Sequence, residues 1–362
     1  MTVAVPCQVI SALLTAATAL RDPVFRACSA EGRPACHVGK VTADAMLQFL
    51  TRRILRAVIA LWGIVTVVFI VMRLSGDPVP LMLPPDAPTA EMNRVRAEMG
   101  LDQPIYIQYV VFIGNVLRGD LGRSIHMRQP AIDIALERLP ATFELALVAF
   151  ALAVVVALPA GLISAAKRNS VWDNVAMLFA LIGQSAPTFY IGIMLILVLG
   201  LQFGLFPVSG RGQGSWLNPQ DWPTMLWHVF LPAITLGAFA MASIARLTRS
   251  AVLEVMRQDY IRTARAKGLS DIAVLVRHNF KNAAIPVVTI MGLQFGTLLG
   301  GAVVTETVFS WPGIGLLAIK SIGSRDYPIV QSSVLLVAMA FVVVNFLVDL
   351  AYGWLDPRIR YA

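Results

Sequence analysis

Charge is scarce in this chain. Only 14% of its 362 residues are Asp, Glu, Lys or Arg, against roughly 25% in an ordinary soluble domain. So little charge cannot cover a water-facing surface, which disfavours a soluble enzyme, a disordered regulator and a nucleic-acid module from the outset. Cysteine is scarcer still. Cys7, Cys28 and Cys36 are the only three; they cannot build a dense disulfide framework, and with His37 they do not space a metal site. Catalytic signatures are missing as well. Gly39–Lys40 lacks the earlier glycine of a GxxxxGK[ST] phosphate loop, and neither HExxH nor GxSxG occurs. His37, His126, His228 and His278 are scattered. The pattern assembles no nucleophile–base pair, no metal ligand set and no cofactor site, so an intramembrane enzyme starts without a constellation to support it.

What is present is apolar mass: 57% hydrophobic residues and a mean hydropathy of +0.72. A helix needs about 20 mostly apolar residues to cross a bilayer. Six stretches qualify: 54–74, 141–166, 175–203, 229–247, 283–305 and 329–354. None alternates like a barrel strand, and only helices and closed barrels satisfy their backbones in lipid. The expected fold is therefore an all-α polytopic membrane protein of six transmembrane helices.

The basic residues set its orientation. Arg52, Arg53, Arg56, Lys167 and Arg168 fall on one side of the spans. So do Arg246, Arg249, Arg257, Arg262, Arg265, Lys267, Arg277, Lys281, Arg358 and Arg360. Against them stand Arg211, Lys320 and Arg325 on two short loops. Basic loops stay in the cytoplasm, so both termini are placed inside, 75–140 becomes an outer insertion and 248–282 a cytoplasmic loop. The net charge of +8 thus marks orientation and calls for no nucleic acid. Residues 1–45 fit less well. Their apolar run 9–20 is too short to span and has no basic flank. Met46, with Leu47, Phe49 and the Arg52–Arg53 pair behind it, reads as a start. The segment is read as a poorly ordered extension or a misassigned start, ahead of a transmembrane domain over 46–362.

The basic loop is the most informative region. Asp259 suits an N-cap, Arg265 and Lys267 suit the last turn of a short helix, and Gly268 suits the left-handed position after it. Ser270 and Asp271 then cap a second helix running to about 279. Such a hairpin, bearing Tyr260, Ile261 and small Ala264, is shaped to dock in another protein's groove. The competing reading is a solvated basic loop held near anionic headgroups.

These residues also carry a resemblance. Tyr260, Ile261, Arg262, Thr263, Ala264, Arg265, Ala266, Lys267, Gly268 and Leu269, with Asn282 and Ile285–Pro286 beyond them, resemble the EAA loop of binding-protein-dependent ABC importer permeases. The likeness is strongest to the B-type permeases of the dipeptide, oligopeptide, glutathione and nickel importers. Other matches follow in order: Gly100–Leu101–Asp102–Gln103–Pro104, Arg118–Gly119–Asp120–Leu121–Gly122–Arg123–Ser124, Arg138–Leu139–Pro140–Ala141–Thr142–Phe143–Glu144–Leu145, Ser185–Ala186–Pro187, and the run from Thr305 and Glu306 through Trp311–Pro312–Gly313–Ile314–Gly315. Arg262–Thr263–Ala264 stands where the general pattern has Glu-Ala-Ala, and the Ile–Pro pair lies further beyond the glycine. Both departures suit the peptide-type subgroup. The resemblance runs from about Met46 to the C-terminus and implies a type I importer permease in the bacterial inner membrane. It assigns 260–269 as the coupling helix of a pathway that alternates its access. It implies a second homologous permease, two ATPase subunits that hold the ATP and Mg, and an extracytoplasmic binding protein. This chain would itself bind no cofactor or metal.

Within the membrane, Gly292, Gly296 and Gly300 form a small-xxx-small stripe that brings helices close, either within the chain or across a permease–permease interface. Gln184 and Pro187 in the third span, and Gln294 in the fifth, are candidates to line the pathway; bonds between helices are the alternative. Glu306 is a candidate outer gate or substrate contact, or else a structural bond at a helix end. The outer insertion, with 210–227 and 310–328, is a candidate landing surface for the binding protein. A secondary transporter or channel driven by an ion gradient is the alternative function; no inverted repeat or midplane ion ligand supports it.

Overall fold

A computed structural model describes residues 43–74, 79–83, 88–98 and 100–355. Residues 1–42, the bulk of the expected N-terminal extension, lie outside the described residues. Two compact units divide after Gly63. The described part of the first is the leading portion of α1 (Ala43–Leu74), where Ile54, Leu55, Val58, Ile59 and Trp62 are exposed. The remainder of α1 opens the second unit.

There α2 (Val79–Met82), α3 (Thr89–Glu98) and α4 (Ile105–Leu117) make up the outer insertion. The bundle follows: α5 (Ala131–Ala166), α6 (Val171–Ser185), α7 (Thr188–Leu195, continuing as a π-helix over Ile196–Gln202) and α8 (Trp222–Val255). After α9 (Asp259–Ala266) come α10 (Asp271–Ala273), a π-helical stretch Val274–Phe280, α11 (Lys281–Val308), α12 (Ile314–Gly323) and α13 (Tyr327–Leu355). Among the described residues the only β-pairing is an isolated bridge between Arg123 and Pro130. The fold is an all-α polytopic bundle.

Four boundaries differ from the sequence expectation, each for a local reason. The third span is not one helix. Ala186, held extended before Pro187 (φ −79°, ψ 136°), breaks it, and α6 and α7 meet at 113°; proline's ring disfavours a helical conformation in the residue before it. The second span starts ten residues early, at Ala131, and passes through Pro140, so the outer insertion closes at Pro130. The fourth span runs on to Val255, which moves Arg249 from the loop into a helix. The expected helix after Ser270 is no separate element. Ser270 Oγ does accept from the Ala273 N–H at 3.4 Å. The chain then stays helical through Phe280 and Lys281 and becomes the cytoplasmic end of the fifth span.

The core is a seam between α5 and α8. Ala141, Leu145, Ala149, Ala153, Ala157, Gly161 and Ala165 recur every fourth residue on α5, all buried. The backbone of α8 comes up against this ridge. A Cβ on Gly161 would lie 2.7 Å from the Ala245 carbonyl, and one on Gly237 would lie 2.9 Å from that of Ala149. Hydrophobic solvent exclusion does not hold helices together in lipid, so close van der Waals contact must, and small side chains permit it.

Candidate functional site

The cytoplasmic hairpin is built around α9. Gln258 is extended (φ −72°, ψ 147°) and takes the cap position expected of Asp259, which becomes the first helical residue; its carboxylate still favours the helix N-terminus. Gly268 closes the helix at φ +78°, as the spacing requires. The faces divide differently from the expectation. Ile261 and Ala264 are buried against Val274, with Val255 beside them, so they cannot enter a partner's groove. The outward face carries Tyr260, Arg262, Thr263, Arg265, Ala266, Lys267 and Leu269, all exposed. Its ion pairs are long and wet: Arg262 to Asp259 at 3.7 Å and Arg265 to Asp271 at 3.8 Å. Such pairs add little stability. One hydrogen bond ties this face to the membrane domain, from Asn282 Nδ2 on α11 to Tyr260 Oη at 2.7 Å.

Midway along α11, Gln294 is buried and accepts from the Thr297 hydroxyl at 3.1 Å. Both line a cavity of about 190 Å³ with Thr188, Leu236, Phe239, Ala240, Leu298 and Gly301. Thr188 is the first residue of α7, so the cavity sits beside the break at Pro187. Gln184 is half-buried and Pro187 exposed, and neither is among the cavity's lining residues. The glycine stripe also separates. A Cβ on Gly296 would come within 2.9 Å of Asn345 Oδ1, so this glycine packs against α13 of the same chain; Gly300 faces open space. Gly292 is half-buried.

Glu306 lies at the outer end of α11 and is fully buried. The Thr142 hydroxyl donates to its Oε1 at 2.6 Å and the Leu316 N–H to its Oε2 at 3.0 Å. The Ile314 N–H donates to the Thr142 oxygen at 2.9 Å, and the Trp311 indole N–H to the Ala141 carbonyl at 2.8 Å. A Cβ on Gly313 would strike the Glu306 carboxylate, and one on Gly315 would sit 2.7 Å from the Val303 backbone. The two glycines are therefore what lets the N-terminus of α12 close over the carboxylate. Glu306 has no exposed surface and bonds α5 and α12 to the end of α11. Nearby, Glu144 pairs with Arg211 at 2.5 Å.

The family of "Binding-protein-dependent transport system inner membrane component" matches residues 157–361, and its N-terminal counterpart, "Binding-prot-dependent transport system membrane comp, N-term", matches 46–146. The chain belongs to this family. It is 43% identical over 340 residues to the di/tripeptide transport system permease protein DppB of Pseudomonas aeruginosa, covering 87% of this chain and 99% of that protein. It is 41% identical over 317 residues to the glutathione transport system permease protein GsiC of Escherichia coli, covering 87% and 100%. Among solved structures, an inward-facing MetNI methionine ABC transporter aligns with 62% of this chain and 96% of its own, at 17% identity and a TM-score of 0.49. The chain is thus a multi-pass inner-membrane permease component of a binding-protein-dependent ABC importer.

Two features of this permease escape a sequence reading. On the cytoplasmic side, Arg249 of α8 grips Asp173 of α6 with both arms, Nε to Oδ1 at 2.7 Å and Nη2 to Oδ2 at 2.8 Å. The Ser164 hydroxyl of α5 and the Asn169 N–H complete the carboxylate's shell. Three spans are latched by one buried acid. Arg249 looks like any loop arginine in the sequence, and its partner is 76 residues away. The second feature, the α5 ridge, had a signal: alanine or glycine at every fourth position from 149 to 165. The more conspicuous glycines of α11 draw attention from it.

Proposed function

We propose that this permease imports di- or oligopeptides or similar small solutes, using ATP hydrolysed on two separate ATPase subunits. It works beside a second homologous permease and receives cargo from an extracytoplasmic binding protein. The names of its relatives, for di/tripeptides and for glutathione, support a peptide-like substrate. The absence of a phosphate loop in its sequence supports ATP and Mg being held by the partners and a permease that is not itself catalytic.

The observation that carries the coupling role is the hairpin's construction. The exposed face of α9 is free to enter an ATPase cleft, while Ile261 and Ala264 clamp its other face to Val274. Val274 begins the π-helical stretch that runs directly into α11. A push on α9 therefore reaches, along one continuous helix, the Gln294 side chain in the cavity. Closure of the ATPases around ATP would shift this helix and re-shape the cavity, which is alternating access driven from the cytoplasmic end. Gln294 with Thr297 would line the pathway in this scheme, beside the α6–α7 break made by Pro187. The outer insertion, with 210–227 and 310–328, would receive the binding protein.

Gly268→Val tests the coupling. Nothing crowds a Cβ there, but φ is +78°, a conformation that a β-branched residue resists. The expected result is lost ATPase co-purification and lost binding-protein-dependent uptake, with the membrane domain still folded. Unchanged assembly and unchanged uptake would overturn the role. Mass spectrometry of the ligand retained by the purified binding protein tests the substrate class, and a ligand unlike a peptide would refute it.

A further inference from the structure

α4 (Ile105–Leu117) has the composition of a membrane segment without the length. Its sequence, IYIQYVVFIGNVL, contains no acidic or basic residue. Thirteen residues rise about 20 Å, short of a hydrocarbon core of about 30 Å. The helix is apolar nearly all round, a pattern that belongs in a core or in lipid, yet none of its residues is buried. One face packs on α1: the Tyr109 and Phe112 rings lie 5.2 Å and 5.4 Å from that of Phe69, and Tyr109 Oη is 2.7 Å from Thr66 Oγ1. The other face, Tyr106, Ile107, Val110, Val111 and Leu117, recurs at helical spacing and is exposed, Val110 by 69% and Leu117 by 83%.

Depth decides what covers that face. Thr66 and Phe69 precede the end of α1 at Leu74 by about 12 Å and about 7 Å at the α-helical rise. The basic residues of α1 place Leu74 at the outer end of this span. α4 therefore meets α1 below the outer rim of an apolar span, at the level of the outer leaflet. Around the contact α1 is exposed too, at Ile70 and Leu74, so the face of α4 continues a surface that already belongs to lipid. Arg73, one residue from the end of α1, lays its guanidinium over the Phe69 ring at 5.3 Å, within reach of the outer headgroups by snorkelling. On α4 itself charge is confined to the flanks, with Asp102 before it and Arg118 and Asp120 after it. Tyr106, in the first turn, has the amphipathic ring that favours the headgroup boundary.

We infer that α4 lies in the outer leaflet as an interfacial helix, with acyl chains covering its Tyr106–Val110–Leu117 face, and that it anchors the outer insertion to the membrane beside α1. A binding protein approaching from water would then meet α3 and the turn over 118–130, and α4 would not belong to the docking surface.

The test uses the full chain in phosphatidylethanolamine–phosphatidylglycerol nanodiscs, with Cys7, Cys28 and Cys36 replaced by serine. Nitroxide labels are placed at Val110→Cys and Val111→Cys, with Val155→Cys, exposed on the spanning helix α5, as a span reference and Leu217→Cys as an outer-loop reference. Collision rates with oxygen and with a water-soluble nickel chelate are then compared. The expected oxygen-to-nickel ratio at 110 and 111 is severalfold above that at 217 and close to that at 155. A ratio equal to that at 217 would put the face in water and overturn the inference. Poor access to both reagents would show a protein cover, such as a second copy of the chain, and would equally overturn it. Cross-linking of the unsubstituted chain with a diazirine phospholipid needs no variant. Adducts within 105–117 are expected, and adducts confined to the long spans would refute the assignment. Neither measurement depends on the substrate or on the ATPases.

Discussion

At the outer end of the bundle the polar side chains turn inward, whereas on the cytoplasmic hairpin they turn outward. Glu306 is fully buried and surrounded by donors from two other parts of the chain. Asp259 and Arg262 carry opposite charges only a turn apart, yet stand 3.7 Å from each other in water. Burial makes the first carboxylate part of the frame, because each donor it satisfies would otherwise be stranded. Exposure leaves the second group with almost no structural duty and available to a partner. Below the hairpin the inward pattern returns in the Asp173–Arg249 latch. The permease thus holds its charges inside at Glu306 and at the Asp173–Arg249 pair, and presents them to water on the small helix α9.

The comparison can be broken most severely at Glu306. Glu306→Ala strands the Thr142 hydroxyl and the Leu316 N–H and is expected to cost about 1–3 kcal/mol for each, plus the cavity it leaves. Thermal unfolding of the purified protein in detergent would read this. A melting temperature like that of the unsubstituted chain would show that these buried bonds carry no weight. Next comes the latch. Asp173→Ala leaves Arg249 without its acid, at an expected cost of about 3 kcal/mol, the low end for breaking a buried pair, because 25% of Arg249 is exposed. With Asp173 in place, Arg249→Lys should keep part of that stability but not the two-armed grip. Gly161→Leu drives a side chain into the α8 backbone and should cost about 1–3 kcal/mol as overpacking, read as a lower yield of folded protein and an earlier melt. The smallest effect is expected on the hairpin, where Asp259→Asn should leave the melting curve unchanged. A clear destabilisation there would erase the contrast between the two ends.

Much of this architecture is legible along the chain, because crossing a bilayer demands a long apolar run and six are visible. The hairpin is legible for a related reason: Gly268 and Ser270 are local signals read within a few residues of where they act. Boundaries were less so. Pro140, Pro232 and Pro286 all sit inside continuous helices, while Pro187 breaks one, and proline alone does not distinguish the two outcomes. Membrane helices tolerate proline when neighbours re-satisfy the freed backbone groups, and those neighbours lie elsewhere in the sequence. The faces of α9 were unreadable for the same reason, since Ile261 is buried by Val274 across the turn.

By itself, then, the sequence determined the solvent, an all-helical chain of five to six apolar spans and the short helix of the basic loop. These follow from composition, charge distribution and turn chemistry, all properties of contiguous residues. Only the tertiary structure decided that Glu306 is buried among donors from α5 and α12, that Gly296 packs within the chain, that Gln294 and not Gln184 faces the cavity, and that Arg249 latches three helices. Each depends on a partner far away in the chain, 164 residues for Thr142 and Glu306, and a buried polar group takes its role from whichever donor or acceptor folding brings within reach.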